Sequence, residues 1–222
     1  MSKLQENKEK EIYEGEYNKE GLKNGFGTCV YEDGSKYVGE WKDGKKHGTA
    51  IKYEANGTKM YEGEYKDGLR NGKGTIYWKK GMKYVGEHKD DKCNGMGVYY
   101  RANGDIQYEG EWKDGNRDGD GTYYFSSGEK HVGRWKNGIR HGMGTFFNAN
   151  GNKEFVGEWF DDKRNGYGTL YDANGGKNVG LWLNDKKVND FKETMLIQLK
   201  EQFALEDYFK NMIKKQLHLD SE

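Results

Sequence analysis

The sequence predicts a mostly β fold: an elongated, twisted single sheet made of antiparallel β-hairpins, with a C-terminal α-helix capping the last of them. Three observations carry this prediction. Glycine recurs at a nearly fixed interval, aromatic residues bracket the recurring glycine two positions to either side, and the 222 residues contain 34 glycines and no proline. A period of this length marks a stacked array, in which one unit cannot bury its own apolar face and its neighbours complete it.

Composition narrows the class further. The 37 basic and 37 acidic residues cancel, so nothing draws the whole molecule toward nucleic acid or an anionic surface. A hydrophobic share of 33% with a mean hydropathy of −1.19 would suit a disordered chain, but an aromatic share of 14% argues for packing. The lead, residues 1–12, is charged and poor in apolar residues; it is read as disordered and as neither a signal nor a transit peptide.

The array follows. The first glycine set is Gly15, Gly39, Gly63, Gly86, Gly110, Gly133, Gly157 and Gly180, at intervals of 24, 24, 23, 24, 23, 24 and 23 residues. A second set (Gly25, Gly48, Gly72, Gly95, Gly119, Gly142, Gly166) follows nine or ten residues after each, and a third stands two residues beyond that, with Ala50 as its one substitute. Seven full units and a truncated eighth therefore span residues 13–190.

Each unit reads as a hairpin. Tyr37, Gly39 and Trp41 alternate with Val38, Glu40 and Lys42, the period of a strand with one aromatic and one wet face. Asp43 to Gly48 is read as the turn. "GKGTIYW" (72–78) and "GMGTFF" (142–147) supply β-branched and aromatic residues for the return strand. Asn56-Gly57, Asn103-Gly104 and Asn150-Gly151 close one hairpin and start the next. The aromatics then form two columns: Tyr13, Tyr37, Tyr61, Tyr84, Tyr108 and Phe155, and Tyr17, Trp41, Tyr65, Trp112, Trp135, Trp159 and Trp182. The glycine between them leaves a slot in which a ring can lie on the backbone. Some 15 strands at about 4.8 Å give a rod of roughly 70 Å.

At these residues the chain resembles the MORN repeat (membrane occupation and recognition nexus). "YEGEYKDGLRNGKGTIYWKKG" (61–81) and "YEGEWKDGNRDGDGTYYFSSG" (108–128) are similar to its pattern of Tyr-x-Gly-x-aromatic, turn, Gly-x-Gly-Thr, aromatic. The resemblance implies a half-pipe-like antiparallel sheet. His88, His131 and Asn178 depart from the aromatic columns, and Arg134 and Leu181 replace a recurring Glu; looser packing is expected there.

Beyond Asn189 the character changes. Residues 190–219 lack glycine, and Phe191, Met195, Leu199, Phe203, Phe209, Ile213 and Leu217 follow helical spacing, with Asp190 and Glu193 placed as an N-terminal cap. The expected role is to cover the last hairpin near Trp182 and Val188. The alternative is a docking helix or dimer seam, so a homodimer through this helix or an array end is carried as a partner reading.

No catalytic constellation emerges, and no cofactor or metal is expected. Asp114, Asn116, Asp118 and Gly119 match the start of a calcium loop, but Phe125 stands where a bidentate Glu is needed. The five histidines lie in separate segments without zinc-ligand spacing. Gly72-x-Gly74 is not followed by a strand-Gly-helix unit, and no nucleophile elbow or kinase set occurs. Cys29 and Cys93 are too far apart to bridge on this model and suit a reducing compartment. No run of 18 apolar residues reads as a spanning helix.

Two surface columns remain. Lys46, Arg70, Arg117, Arg140, Arg164 and Lys187 share one position, with Cys93 interrupting; they are the candidate contacts for an anionic partner, or are neutralised by Asp43, Asp67, Asp90, Asp114 and Asp161 nearby. Tyr53, Tyr77, Tyr100, Tyr124, Phe147 and Tyr171, beginning with Val30, lie opposite the recurring glycines and form the candidate groove for a protein partner. The leading expectation is a non-catalytic scaffold that grips an extended or helical segment of another protein. The resemblance adds a cytoplasmic setting with cytoskeletal or ciliary association. A peripheral tether for phosphoinositide or other anionic lipid is the alternative, an enzyme accessory subunit a minor one, and nucleic acid is disfavoured by the charge balance.

Overall fold

The computed structural model describes residues 11–188. Most of the charged lead and the expected cap helix over 190–219 lie outside the described residues. Sixteen strands form one open antiparallel sheet in strict chain order. They are β1 Ile12–Tyr17, β2 Lys23–Val30, β3 Lys36–Lys42, β4 Lys45–Tyr53, β5 Lys59–Lys66, β6 Leu69–Tyr77, β7 Lys83–Lys89 and β8 Lys92–Tyr100, followed by β9 Ile106–Lys113, β10 Asn116–Tyr124, β11 Lys130–Lys136, β12 Ile139–Phe147, β13 Lys153–Phe160, β14 Lys163–Tyr171, β15 Lys177–Leu183 and β16 Lys186–Val188. The expected meander is present, with one more strand than the period suggested. Ile12, placed with the lead by composition, already opens β1.

The turns are tighter than the sequence reading had them. Asp43 and Gly44, at φ 47° and 80°, form the whole connection between β3 and β4. Two consecutive left-handed residues match the type I′ turn, whose twist suits a right-twisted hairpin, which is why Asp-Gly, Asp-Asp or Asn-Gly recurs there. Gly48, assigned to the turn by spacing, is instead inside β4. The register passes from Gly39 opposite Ala50 to Trp41 opposite Lys46, so three residues of β4 face Glu40 alone. Gly48 has φ 56° in this bulge, where a β-carbon would be strained. The Glu40 carboxylate fills the gap, accepting from the Thr49 amide and hydroxyl at 2.8 Å each.

From β1 to β15 the first and third glycine sets lie opposite one another, as in Gly27 against Gly39 and Gly63 against Gly74, with Ala50 standing in for glycine in β4. Rings lie over them on one face. They join edge-on in an unbroken zigzag from Tyr17 and Tyr13 through Trp41, Tyr37, Tyr65, Tyr61, His88, Tyr84, Trp112, Tyr108, Trp135, His131, Trp159 and Phe155 to Trp182, with centroids 4.9–5.7 Å apart. Edge-to-face pairs contribute about 0.5–1.5 kcal/mol each beyond burial. This ladder is the core of a sheet with no second layer among the described residues.

Looser packing at the departures is corrected in part. His131 is fully buried and His88 nearly so, each edge-on between two rings, because an imidazole is flat enough to occupy the same slot. Asn178, at the end of the column, is exposed.

Candidate functional site

The sheet has two faces with different degrees of commitment. On the ring face each first-column tyrosine hydroxyl crosses the glycine pair and donates to the carbonyl three residues on; Tyr37 reaches Glu40 at 2.8 Å and Tyr84 reaches Glu87 at 3.0 Å. Tryptophan indoles donate to glycine carbonyls of the preceding hairpin, Trp112 to Gly97 at 3.1 Å and Trp135 to Gly121 at 3.1 Å. Burial pushes the Tyr61 hydroxyl up to about 12. These hydroxyls remain donors across the physiological range.

The basic column predicted at a turn is found inside the strands, on this same ring face, each member opposite a second-column ring: Lys46 and Trp41, Arg70 and Tyr65, Arg117 and Trp112, Arg140 and Trp135, Arg164 and Trp159. The guanidinium groups cover rings of the following unit, Arg140 over Trp159 at 4.2 Å and Arg164 over Trp182 at 4.7 Å. Their carboxylate partners are the second turn residues of that unit, Asp91, Asp162 and Asp185, each accepting from the arginine backbone amide and Nε. The acidic residues expected from proximity in sequence, Asp43, Asp67, Asp90, Asp114 and Asp161, do not pair with the column. Where glycine holds that turn position the carboxylate is missing: Arg117 donates to the Gly138 carbonyl, and Lys46 has no ion pair among the described residues. Three of the four arginines thus face an aspartate, whereas Arg117 and Lys46 face a glycine. Cys93 stands opposite the smaller ring of His88, and burial pushes its thiol up to about 11.

The open face is less committed. The aromatic column Tyr53, Tyr77, Tyr100, Tyr124, Phe147 and Tyr171 lies half-buried along one rim of it. Sequence reasoning missed what stands between these rings. Lys36, Lys59, Lys83, Lys130, Lys153 and Lys177 pair across the strands with them, giving an alternating lysine–aromatic row. Lys83 lies 4.7 Å from the Tyr100 ring centre and Lys130 4.9 Å from that of Phe147. Among the described residues only Lys59 of this row has a carboxylate, Glu62 at 2.8 Å. The signal was available in sequence, since a lysine precedes the first-column position of units two, three, four, six, seven and eight by one or two residues. Tyr124 donates to Glu109 at 2.7 Å, which together with burial pushes its hydroxyl up to about 12.

Beside this row the glycine backbone itself is open. A shallow groove of about 670 Å³ runs over Gly97, Gly110, Gly121 and Gly133, walled by Val85, Met96, Val98 and Val132, with Glu109 and Asp120 entering it. Met96 and Met143 are 57% and 56% exposed, Tyr167 70% and Val179 64%. Carboxylates stand between these apolar residues, Glu111 opposite Met96 and Glu158 opposite Met143, and an exposed face of this mixed kind suits a macromolecular ligand. Among the described residues no His, Cys, Asp and Glu cluster has the makings of a metal site, and no helix is long and apolar enough to cross a membrane.

A one-layer array of hairpins with one self-packed and one open face defines a repeat scaffold. The MORN repeat family model matches seven consecutive copies, at residues 13–36, 37–59, 61–83, 84–106, 108–130, 131–153 and 155–177, and the chain belongs to this family. Strands β15 and β16 continue the pattern as a truncated eighth unit. No curated protein matches the chain.

Proposed function

We propose that the chain is a non-catalytic scaffold whose open face holds an extended or helical segment of another protein. The observation that carries this reading is the division of labour between the faces. The ring face is consumed by its own packing, while the open face presents an apolar groove beside a lysine–aromatic row at spacings of about 10 Å. A segment with apolar residues along one side and acidic residues along the other fits both features. Of the two columns singled out in the sequence, Tyr53, Tyr77, Tyr100, Tyr124, Phe147 and Tyr171 are the partner contacts in this reading. The column from Lys46 to Arg164 is chiefly structural, and Lys46, which has no ion pair among the described residues, lies over the Tyr31 and Tyr37 rings. A cytoplasmic setting with cytoskeletal or ciliary association is part of the proposal; the free Cys29 and Cys93 support the first, and the second rests on the family alone.

Affinity capture with the full chain against Tyr100→Ala/Tyr124→Ala tests it. Partners lost by the double variant support the open-face site; the same partners recovered undiminished contradict it.

The second reading is a peripheral tether for anionic lipid, favoured by the row lysines that have no carboxylate partner among the described residues. Near an anionic surface each is worth about 1 kcal/mol. Flotation with phosphoinositide vesicles at physiological salt separates the two, since binding that follows lipid charge and is lost in Lys83→Gln/Lys130→Gln supports the tether.

A further inference from the structure

We propose that the ring face carries an anion site at unit two, in which Lys46 and Lys52 bind the phosphate monoester of a small soluble molecule. This goes beyond the scaffold reading and lies on the opposite face of the sheet from it.

Around unit two the self-packing of the ring face is incomplete, because two positions differ from their counterparts. Lys52 stands between Tyr37 and Tyr61, where the adjoining units set Cys29, Ile76 and Tyr99 against the same column of rings. Gly68, in the turn that follows, holds the position from which Asp91 serves Arg70. The backbone equivalence is direct: the Gly68 amide donates to the Lys46 carbonyl at 2.9 Å, as the Asp91 amide does to that of Arg70 at 3.1 Å. A cation has thus been gained and a carboxylate lost at one place. Arg117, which also faces a glycine, is satisfied differently. Its guanidinium donates to the Gly138 carbonyl and lies 4.8 Å from the centre of the Tyr123 ring, the residue at the position of Lys52.

Both lysines border one hollow of about 410 Å³, walled by Met60, Tyr61, Tyr65, Ile76 and Trp78. Arg70 and Asp91 also line it and are paired with each other at 2.9 Å, so three cations meet one carboxylate there. Neither lysine has an ion pair or a side-chain hydrogen bond among the described residues. The same two lysines border a second hollow that holds Glu11, Glu32 and Asp33. Glu11 is taken by Lys23, Asp33 accepts from the Ser35 amide at 2.8 Å, and Glu32 and Asp33 are exposed on the β2–β3 turn. Burial first, and then the Lys52 charge, push the Lys46 ammonium below its ordinary value; an anion entering the first hollow relieves both.

The site selects its ligand by charge and shape. Two uncompensated ammonium groups match a phosphate monoester, which carries about −1.5 to −2 at pH 7, better than a single carboxylate. Trp78, 40% exposed, and Met60 offer an apolar wall to a flat stem. The lysines are half-buried beside a hollow rather than raised above the sheet, which suits a soluble molecule better than a bilayer surface.

Phenyl phosphate is the probe, titrated into the full chain at constant ionic strength and followed by amide NMR. Saturable shifts are expected at Gly68, Ile76 and the Trp78 indole, with benzoate, a monoanion of similar shape, binding about tenfold more weakly. Lys46→Gln/Lys52→Ile, the second change being to the residue of unit three, should weaken phenyl phosphate about tenfold or more. Gly68→Asp sets a carboxylate where Asp91 stands in the next unit, with open space around the new β-carbon, and should weaken the probe by a similar factor by competing from within the chain. Unshifted spectra, shifts that either variant leaves unchanged, benzoate bound as tightly as phenyl phosphate, or binding only to vesicles containing phosphatidylinositol phosphate would overturn the proposal. Neither variant alters the open face, so failure here leaves the capture result standing, and the reverse holds too.

Discussion

The ring of Tyr61 lies on Gly74: a β-carbon on that glycine would stand 2.6 Å from the tyrosine Cζ, and the hydroxyl reaches beyond it to the Glu64 carbonyl at 3.0 Å. The same pair recurs along the array as Tyr84 on Gly97 and Tyr108 on Gly121. Gly74→Ala should therefore destabilise by about 1–3 kcal/mol through overpacking. Ala50 already carries the extra methyl beside Tyr37, so the variant should still fold. Chemical denaturation measures the loss; a variant as stable as the parent would mean that the ring does not need the gap.

His131 makes the array acid-sensitive. Burial first, and then the Arg140 charge, hold its imidazole down to about 3, and neither ring nitrogen has a hydrogen-bond partner among the described residues. The unfolded chain takes up a proton near pH 6.5 that the folded chain refuses, so this contribution is complete above that pH and is lost as pH falls toward 3. The slope is about 1.4 kcal/mol per pH unit for one proton. His88, lowered by burial and then by Arg70, adds in the same direction. His131→Tyr, the ring other units use, should reduce the difference in melting temperature between pH 7.5 and 4.5; an unaltered difference would place the acid sensitivity elsewhere.

Unit six lacks the bulge carboxylate. Glu111 accepts from the Asp120 amide at 3.1 Å and Glu158 from that of Tyr167 at 3.2 Å, whereas Arg134 makes only an exposed 3.7 Å pair with Asp120, worth little. Arg134→Glu restores an acceptor for the Met143 amide and should stabilise by about 0.5–1.5 kcal/mol. Thermal unfolding decides, and a fall in stability would show that the bulge glutamate is not a backbone cap.

The two cation columns should respond differently to neutralisation. Arg140→Ala removes a stacked guanidinium and its bonds to Asp162, and should cost about 1–3 kcal/mol. Lys83→Gln on the open face should change stability by less than about 0.5 kcal/mol. Equal losses would erase the distinction between a building face and a binding face.

The array was legible in sequence because its physics is local and repeated. Glycine spacing reports a ring lying on backbone, and that requirement recurs in every unit whatever the surface chemistry. What stayed hidden depends on register. Lys46 and Asp43 are close in sequence, yet the hairpin bulge sends the basic column under the next unit, so that Arg70 meets Asp91 rather than Asp67. The lysine row was overlooked because each lysine lies on a different strand from its aromatic partner, as with Lys130 and Phe147. His131 read as a gap, although an imidazole stacks edge-on much as a phenol does.

The central claim is that one face of the sheet builds the molecule and the other binds. A paired comparison of melting temperature and captured protein for Trp135→Ala and for Tyr100→Ala/Tyr124→Ala tests it most directly. The tryptophan variant should lose about 3–5 kcal/mol of stability, and the tyrosine pair should stay within a few degrees of the parent while losing its partners. A tyrosine pair that unfolds the array, or that keeps every partner, would contradict the account.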